Sequence, residues 1–336
     1  MRAAIPATCL AIEFSAAGGP DVVRPVQRPV VLPGPDEILI RVAAAGLNRG
    51  DLQQRKGLYP PPPGTTDIPG LEVSGIVAAV GEDASGWAIG QQVCALLAGG
   101  GYAEYALAPA GSCLPVPDGM EIADAAALPE CVATSWVNLV EHGRLAAGES
   151  VLIHGGASGI GTIAIQLVRH LGAGMVLATA GDETRCALCR TLGADVAINH
   201  RGEDFVDAVA LATGGRGVDV VLDVVGGDYI ARNVEALAPR GRLVNISYIA
   251  GSRATLDFRP VMVKQLVLTG STLRARSVAE KARIVAQLRR DVWPAVAAGR
   301  IRPVLDRTFP LAEAAAAHAY MERGVHAGKI RLLADA

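Results

Sequence analysis

The stretch Val151-Leu-Ile-His-Gly-Gly-Ala-Ser-Gly-Ile-Gly161 runs straight into Thr162-Ile-Ala-Ile-Gln-Leu167. A strand, a glycine-rich turn and a helix follow one another without a spacer. A dinucleotide pyrophosphate needs this order: a tight turn, a backbone that approaches phosphate, and a helix N-terminus whose N–H groups and dipole favour an anion. Against the spacing G-x-G-x-x-G the positions are Gly156, Ser158 and Gly161, so the middle glycine is replaced. A glycine-rich βα turn that binds no nucleotide has the same local pattern, and the surrounding chain has to separate the two.

Outward from this motif the chain alternates. Strands are predicted over 150–154, 175–180, 195–198, 218–224 and 241–246, with helices over 160–171, 183–192, 205–213 and 229–237. Such a βαβ series predicts an α/β fold, a doubly wound parallel sheet with helices on both faces. Before residue 120 the texture differs. Short apolar runs at 37–43, 73–80 and 93–97, punctuated by Gly and Pro, predict a β-rich lobe. Helices are expected over 124–128 and 132–141. A long helical stretch over 278–298 is expected to kink or break at Pro294. The final strand, 329–333, is too short a tail to fold alone and is expected to return to the first lobe.

The 336 residues suggest two domains, and 51% hydrophobic with 19% charged residues excludes a disordered chain. A net charge of −2 argues against a nucleic-acid binder. No window is apolar enough for a membrane span and the N-terminus lacks a signal-peptide core, so a cytoplasmic setting without membrane partners is expected. Six scattered cysteines do not make a disulfide framework. Cys186-x-x-Cys189 stands without a second pair and reads as helix packing. No metal-ligand motif is found, and His318 reads as a helix residue in a wall or core.

The second strand of the nucleotide unit ends at Gly181, where a site preferring NAD carries an acid for the ribose 2′-OH. Gly181 leaves room for a 2′-phosphate, and Arg185 on the next helix can pair with it. Asp182 argues the other way by adding negative charge. Asp223 and then Asn245 and Ser247 stand at the ends of later strands, where the nicotinamide half would lie; Asp223 reads equally as a turn cap.

Together these features resemble the medium-chain dehydrogenase/reductase superfamily. Within it the chain is similar to the zinc-free NADPH:quinone oxidoreductases, in particular the branch typified by the p53-inducible quinone oxidoreductase. The resemblance lies in 45–59, Pro61-Pro-Pro-Gly64, Gly70-Leu-Glu-Val-Ser-Gly75, Ala125-Ala-Ala-Leu-Pro-Glu130, the 153–161 loop, Gly270-Ser-Thr-Leu-Arg274 and Gly328-Lys-Ile330. It spans nearly the whole chain. Zinc-containing members carry Cys where Asn48 stands and His where Leu71 stands, so no metal is expected. The resemblance implies that Asn48, Tyr59 and Thr134 line the nicotinamide and substrate cleft. It implies that Ser158, Gly159, Ile160 and Gly161 cradle the pyrophosphate. Arg185 and His200 match residues near the 2′-phosphate, and Lys329 matches one near the nicotinamide phosphate. Asp182 departs from the family's Ser or Thr.

The expected architecture is therefore a discontinuous GroES-like β-rich catalytic domain, 1–127 and 263–336, and a Rossmann domain, 128–262. The expected activity is NADPH-dependent, zinc-independent reduction of a quinone in a homodimer, with Tyr59 and Asn48 at the reacting centre. The alternatives are a reductase of α,β-unsaturated carbonyls and, in another class, a non-enzymatic nucleotide- or nucleic-acid-binding relative. One- versus two-electron reduction is left open.

Overall fold

The glycine- and proline-punctuated runs of the first part fold as strands. The computed structural model describes residues 5–334. β1 (Thr8–Phe14) pairs antiparallel with β2 (Val23–Pro29). β3 (Glu37–Gly46) leads into α1 (Arg49–Arg55), and then follow β4 (Glu72–Val80), β5 (Gln92–Leu96), β6 (Tyr105–Pro109) and β7 (Cys113–Pro115). β3 is the centre of this sheet, antiparallel to both β4 and β6. Its apolar residues Ile38, Ile40, Val42 and Ala45 enter the core.

The middle of the chain is the parallel sheet. α2 (Pro129–Trp136) runs into a π-helical turn, Val137–His142. Then come β8 (Ser150–Ile153), α3 (Gly159–His170), β9 (Met175–Ala180), α4 (Glu183–Thr191), β10 (Val196–Asn199) and α5 (Phe205–Ala212). β11 (Val218–Asp223), α6 (Tyr229–Ala236), β12 (Leu237–Asn245), α7 (Arg259–Val263) and β13 (Val267–Gly270) complete it. The strand order is β10-β9-β8-β11-β12-β13. The direction of winding reverses between β8 and β11, so the loops after these two strands open the crevice where such sheets bind ligands. The central strands β8, β9 and β11 are buried on both faces, and Val151-Leu-Ile153 and Val220-Val-Leu222 are apolar runs of that kind.

The remainder is α8 (Val278–Asp291), α9 (Trp293–Ala297), β14 (Leu305–Pro310), α10 (Ala314–Glu322) and β15 (Lys329–Leu333). β15 pairs with β14 and, antiparallel, with β3, so the tail joins the first sheet. The chain divides into two compact units. Unit 1 is Met1–Glu130, Leu273–Ala297 and Pro303–Ala336; unit 2 is Cys131–Thr272 and Ala298–Arg302.

Several expectations need correction. The division at residue 262 falls instead after Thr272, because β13 adds to β12 as the sixth parallel strand. Ala298–Arg302 also goes with unit 2, where the Gln166 carboxamide both donates to and accepts from the Arg302 backbone. The helix expected over 124–128 is a 3₁₀ turn, Asp124–Ala127. The one over 132–141 is α only to Trp136. The long C-terminal helix breaks at Val292, and Pro294 falls in the first turn of α9, where its missing N–H costs little. Cys186 and Cys189 are buried on α4.

Candidate functional site

The glycine-rich loop of unit 2 has no room for side chains where two of its glycines stand. A Cβ on Gly156 would meet Ala178 Cβ and Cys189 Sγ at 2.8 Å, and one on Gly161 would overlap the Gly155 carbonyl. β8, the loop and α3 are thereby pressed against β9 and α4. Ser158, at the place of the missing glycine, is the N-cap of α3; its hydroxyl accepts from the Gly161 N–H at 3.0 Å. Gly159 and Ile160 form the first turn of the helix, where amides lack intrahelical partners and can hold a phosphate. The tight packing of strand, turn and helix that a dinucleotide site requires is present without the middle glycine.

At the end of β9, three cationic or potentially cationic groups surround Gly181. A Cβ there would lie 3.5 Å from His200 Nε2, 3.6 Å from Arg185 Nη1 and 3.8 Å from Arg201 Cζ. Arg201 is a residue the sequence reading missed; its only signal was that it follows His200. The Asp182 carboxylate is already engaged. It caps α4 by accepting from the Arg185 N–H at 2.9 Å, and its other oxygen lies 3.3 Å from Arg185 Nη1. Burial, with the neighbouring Arg201, lowers the pKa of the His200 ring.

Thr134 is buried in α2, and its carbonyl accepts from Asn138 Nδ2. Asn245 ends β12 with its carboxamide donating to Asp223 Oδ2 at 2.8 Å, while Ser247 follows half-buried beyond the strand. Asp223 also accepts from the Val225 and Gly226 N–H groups, so it caps its turn and orients Asn245 at once.

In unit 1 Asn48 stands at the junction of β3 and α1. Its Nδ2 donates to Glu72 Oε1 at 2.9 Å and to the Gly46 carbonyl at 3.2 Å; its Oδ1 accepts from Lys329 Nζ at 2.7 Å. Lys329 also donates to Glu72 Oε1 at 2.6 Å and to the Leu47 carbonyl at 2.9 Å. Three ammonium donors therefore have three partners inside the protein, with Lys329 only 3% exposed. Lys329, which the resemblance sets near a cofactor phosphate, is bonded to Asn48, Glu72 and the Leu47 carbonyl. The second Glu72 oxygen accepts from the Glu130 N–H. A zinc ion does not fit this donor set, because an ammonium occupies its centre and the buried Leu71 offers no lone pair.

The Asn48 backbone is fixed too. Its N–H donates to Asp51 Oδ2 at 2.8 Å, and the same oxygen accepts from the Tyr102 hydroxyl at 2.9 Å. Burial pushes the Asp51 carboxyl up to about 6 against the lowering pull of these donors. Tyr59 is half-buried beside Gly50, where a Cβ would lie 3.5 Å from its ring. The Arg274 guanidinium carbon is 5.4 Å from the ring centroid, and Nη1 donates to the Tyr59 carbonyl at 3.2 Å. Arg274 further holds the Ala98 carbonyl and Gln54. Its anchoring role was not foreseen, although it closes the Gly270–Arg274 segment. Burial and the Glu130 carboxylate push the Tyr59 phenol up, so the ring keeps its proton as a donor.

Comparison with known proteins places this geometry among its relatives. The alcohol dehydrogenase GroES-like domain matches residues 34–118, and the zinc-binding dehydrogenase family matches 159–287. Quinone oxidoreductase from Rattus norvegicus is 31% identical over 92% of this chain and 92% of its own. The crystal structure of Escherichia coli quinone oxidoreductase complexed with NADPH superposes with a TM-score of 0.86 at 29% identity, covering 96% of this chain and 99% of that one. A structure described as an NAD-dependent alcohol dehydrogenase gives a TM-score of 0.85 at 32% identity, covering 96% and 99%.

The ion pair under Asn48 gives a stability expectation. Lys329→Met takes the counter-charge from buried Glu72 and leaves it only the Asn48 carboxamide and the Glu130 N–H, and is expected to cost about 3–5 kcal/mol. Adding Glu72→Gln removes the stranded charge and should recover most of that loss. Urea unfolding of the single and double variants checks this; equal losses in both would mean that the ammonium matters for packing alone.

Proposed function

This chain belongs to the medium-chain dehydrogenase/reductase superfamily, and we propose that within it the protein is a zinc-independent, NADPH-dependent quinone oxidoreductase. The observation that carries the reading is the Asn48 carboxamide clamped by Lys329 and Glu72. Alcohol oxidation in zinc-dependent relatives uses a Lewis acid on the alkoxide, and this donor set offers no place for one. A quinone is already electron-poor, so its reduction asks mainly for positioning and exclusion of water. The nicotinamide, when bound, supplies the hydride. In unit 2, Gly156, Ser158, Gly159, Ile160 and Gly161 would hold the pyrophosphate of the dinucleotide, and Thr134, Asn245 and Ser247 would serve its nicotinamide end. Asn48 and Tyr59 are the residues assigned to the quinone.

The preference for NADPH rests on Gly181 and the cations around it. An acid at that place would hold a ribose 2′-OH; Arg185, His200 and Arg201 suit a 2′-phosphate instead. Asp182 does not oppose this, since its carboxylate is turned to the Arg185 amide and guanidinium. Steady-state turnover with ortho- and para-quinones and with an enone is the direct test. The wild-type protein should reduce quinones with NADPH, and Arg185→Ala should raise the NADPH KM about tenfold while leaving NADH nearly unchanged. Faster turnover of the enone would make the protein an alkene reductase, and better turnover with NADH would refute the cofactor assignment.

Tyr59 is assigned the hydrogen bond to the quinone oxygen as charge develops on it. Arg274 holds the Tyr59 backbone carbonyl and its guanidinium lies against the ring. Tyr59→Phe keeps the ring and deletes the donor. It is expected to lower kcat about tenfold, equivalent to about 1.4 kcal/mol, with unchanged thermal stability. Wild-type kinetics in Tyr59→Phe would leave the phenol without a role.

A homodimer is proposed along β13, the edge strand of the parallel sheet. An unpaired edge invites a second copy, and the nearby Phe258, Met262 and Val263 are exposed apolar side chains at 66%, 73% and 66%. Light scattering should return twice the monomer mass at micromolar concentration; a monomer there refutes the proposal.

A further inference from the structure

One buried side chain of unit 2 has no part in the assignment above: His154, the residue between β8 and the glycine-rich loop. It is 0% exposed. Its Nδ1 lies 3.1 Å from Thr179 Oγ1 on β9, and its Nε2 lies 2.7 Å from Asn233 Oδ1 on α6. Thr179 Oγ1 also accepts from the Gly155 N–H at 3.2 Å, in the loop itself. On the other side Asn233 Nδ2 donates to Asp223 Oδ2 at 3.2 Å, the atom to which Asn245 Nδ2 donates. The phosphate loop and the Asn245 carboxamide are thus joined by an unbroken buried chain of hydrogen bonds.

Donor and acceptor accounting gives the chain a direction. A carboxylate only accepts, so Asn233 turns its NH₂ to Asp223 and its oxygen to His154. The imidazole must then donate from Nε2 and accept at Nδ1. The acceptor is filled by the Thr179 hydroxyl proton, which leaves the Thr179 oxygen to accept from Gly155. Every bond points from the loop toward Asp223, the arrangement in which successive bonds polarise one another. The rings of Phe205 and Tyr229 stand edge-on to the imidazole at 4.8 and 4.9 Å and close it off. Burial lowers the pKa of His154, against the pull of Asp223, and so favours the neutral ring.

We propose that His154 is a positioning residue that ties the phosphate loop to the Asn245 carboxamide, so that the pyrophosphate and nicotinamide ends of the dinucleotide site are set by one relay. The proposal rests on the dinucleotide reading given above. If the two ends were independent, no buried polar chain would be needed between them, and apolar residues would fill the space at lower desolvation cost.

Two measurements test it. Nitrogen NMR of the free protein should show His154 as the neutral Nε2–H tautomer; the Nδ1–H tautomer would reverse the chain and overturn the proposal. The second is a double-variant cycle on the NADPH Kd, read by calorimetry. His154→Phe and Asn245→Ala should each weaken NADPH about tenfold, and together little more than either alone, because both cut the same relay. His154→Phe with Arg185→Ala should instead be additive within about twofold. Should His154→Phe fail to fold, Thr179→Val carries the same cycle, and Thr179→Ser should restore wild-type binding because it keeps the oxygen. Additive losses for His154→Phe with Asn245→Ala, in a wild-type protein that binds NADPH, overturn the positioning role alone. A wild-type protein that binds neither NADPH nor NADH overturns the dinucleotide reading, and the positioning role falls with it.

Discussion

The Glu72 carboxylate, buried at 0% exposure, is the constraint on which unit 1 depends. Its two oxygens receive the Asn48 carboxamide, the Lys329 ammonium and the Glu130 N–H. These partners come from the start of α1, from β15 and from the start of α2. A charge buried without partners costs several kcal/mol, so the chain cannot place β4 without bringing the others to it. Glu72 and Lys329 are 257 residues apart in sequence, and their pairing joins the first and last segments of unit 1 beside the β15–β3 ladder. Gly46 belongs to the same arrangement, since a Cβ there would overlap the Glu72 carboxylate.

That ion pair also fixes the Asn48 side chain. With Lys329 donating to Asn48 Oδ1 and Glu72 accepting from Asn48 Nδ2, the carboxamide is held at both ends and cannot rotate. Asp51 adds a third hold through the Asn48 amide, and Tyr102 pins Asp51. A side chain so restrained would not need to reorganise to meet a partner.

Unit 2 uses the same device at the other end of its chemistry. Asp223 collects the amides of its own turn together with the carboxamides of Asn233 and Asn245. It lies at the carboxyl end of β11, beside the point where the strand order reverses. The turn cap that the sequence offered for Asp223 is present, and the same residue holds the Asn245 carboxamide. Asp182 shows a comparable double use. As an N-cap it satisfies the first turn of α4, and its second oxygen pairs with the Arg185 guanidinium.

The sequence by itself determined the alternation of strand and helix from 150 onward, because buried parallel strands must be short apolar runs and the turns between them need Gly, Asp or Asn. It also determined that the loop at 155–161 opens a helix, since few other patterns place so many glycines between an apolar strand and an apolar helix. Asn48, Tyr59, Gly181 and Arg185 were legible as candidates through local motif and resemblance. The tertiary structure alone decided where β13 belongs, because four residues carry no sign of which sheet they join until β12 offers its edge. It alone showed that Lys329 serves Asn48, that Arg274 holds Tyr59 and that Arg201 joins Arg185 at Gly181. In each case the partners are distant in sequence or on separate elements. A side chain's role follows from which donors and acceptors reach it, and periodicity along a chain carries no record of those distances.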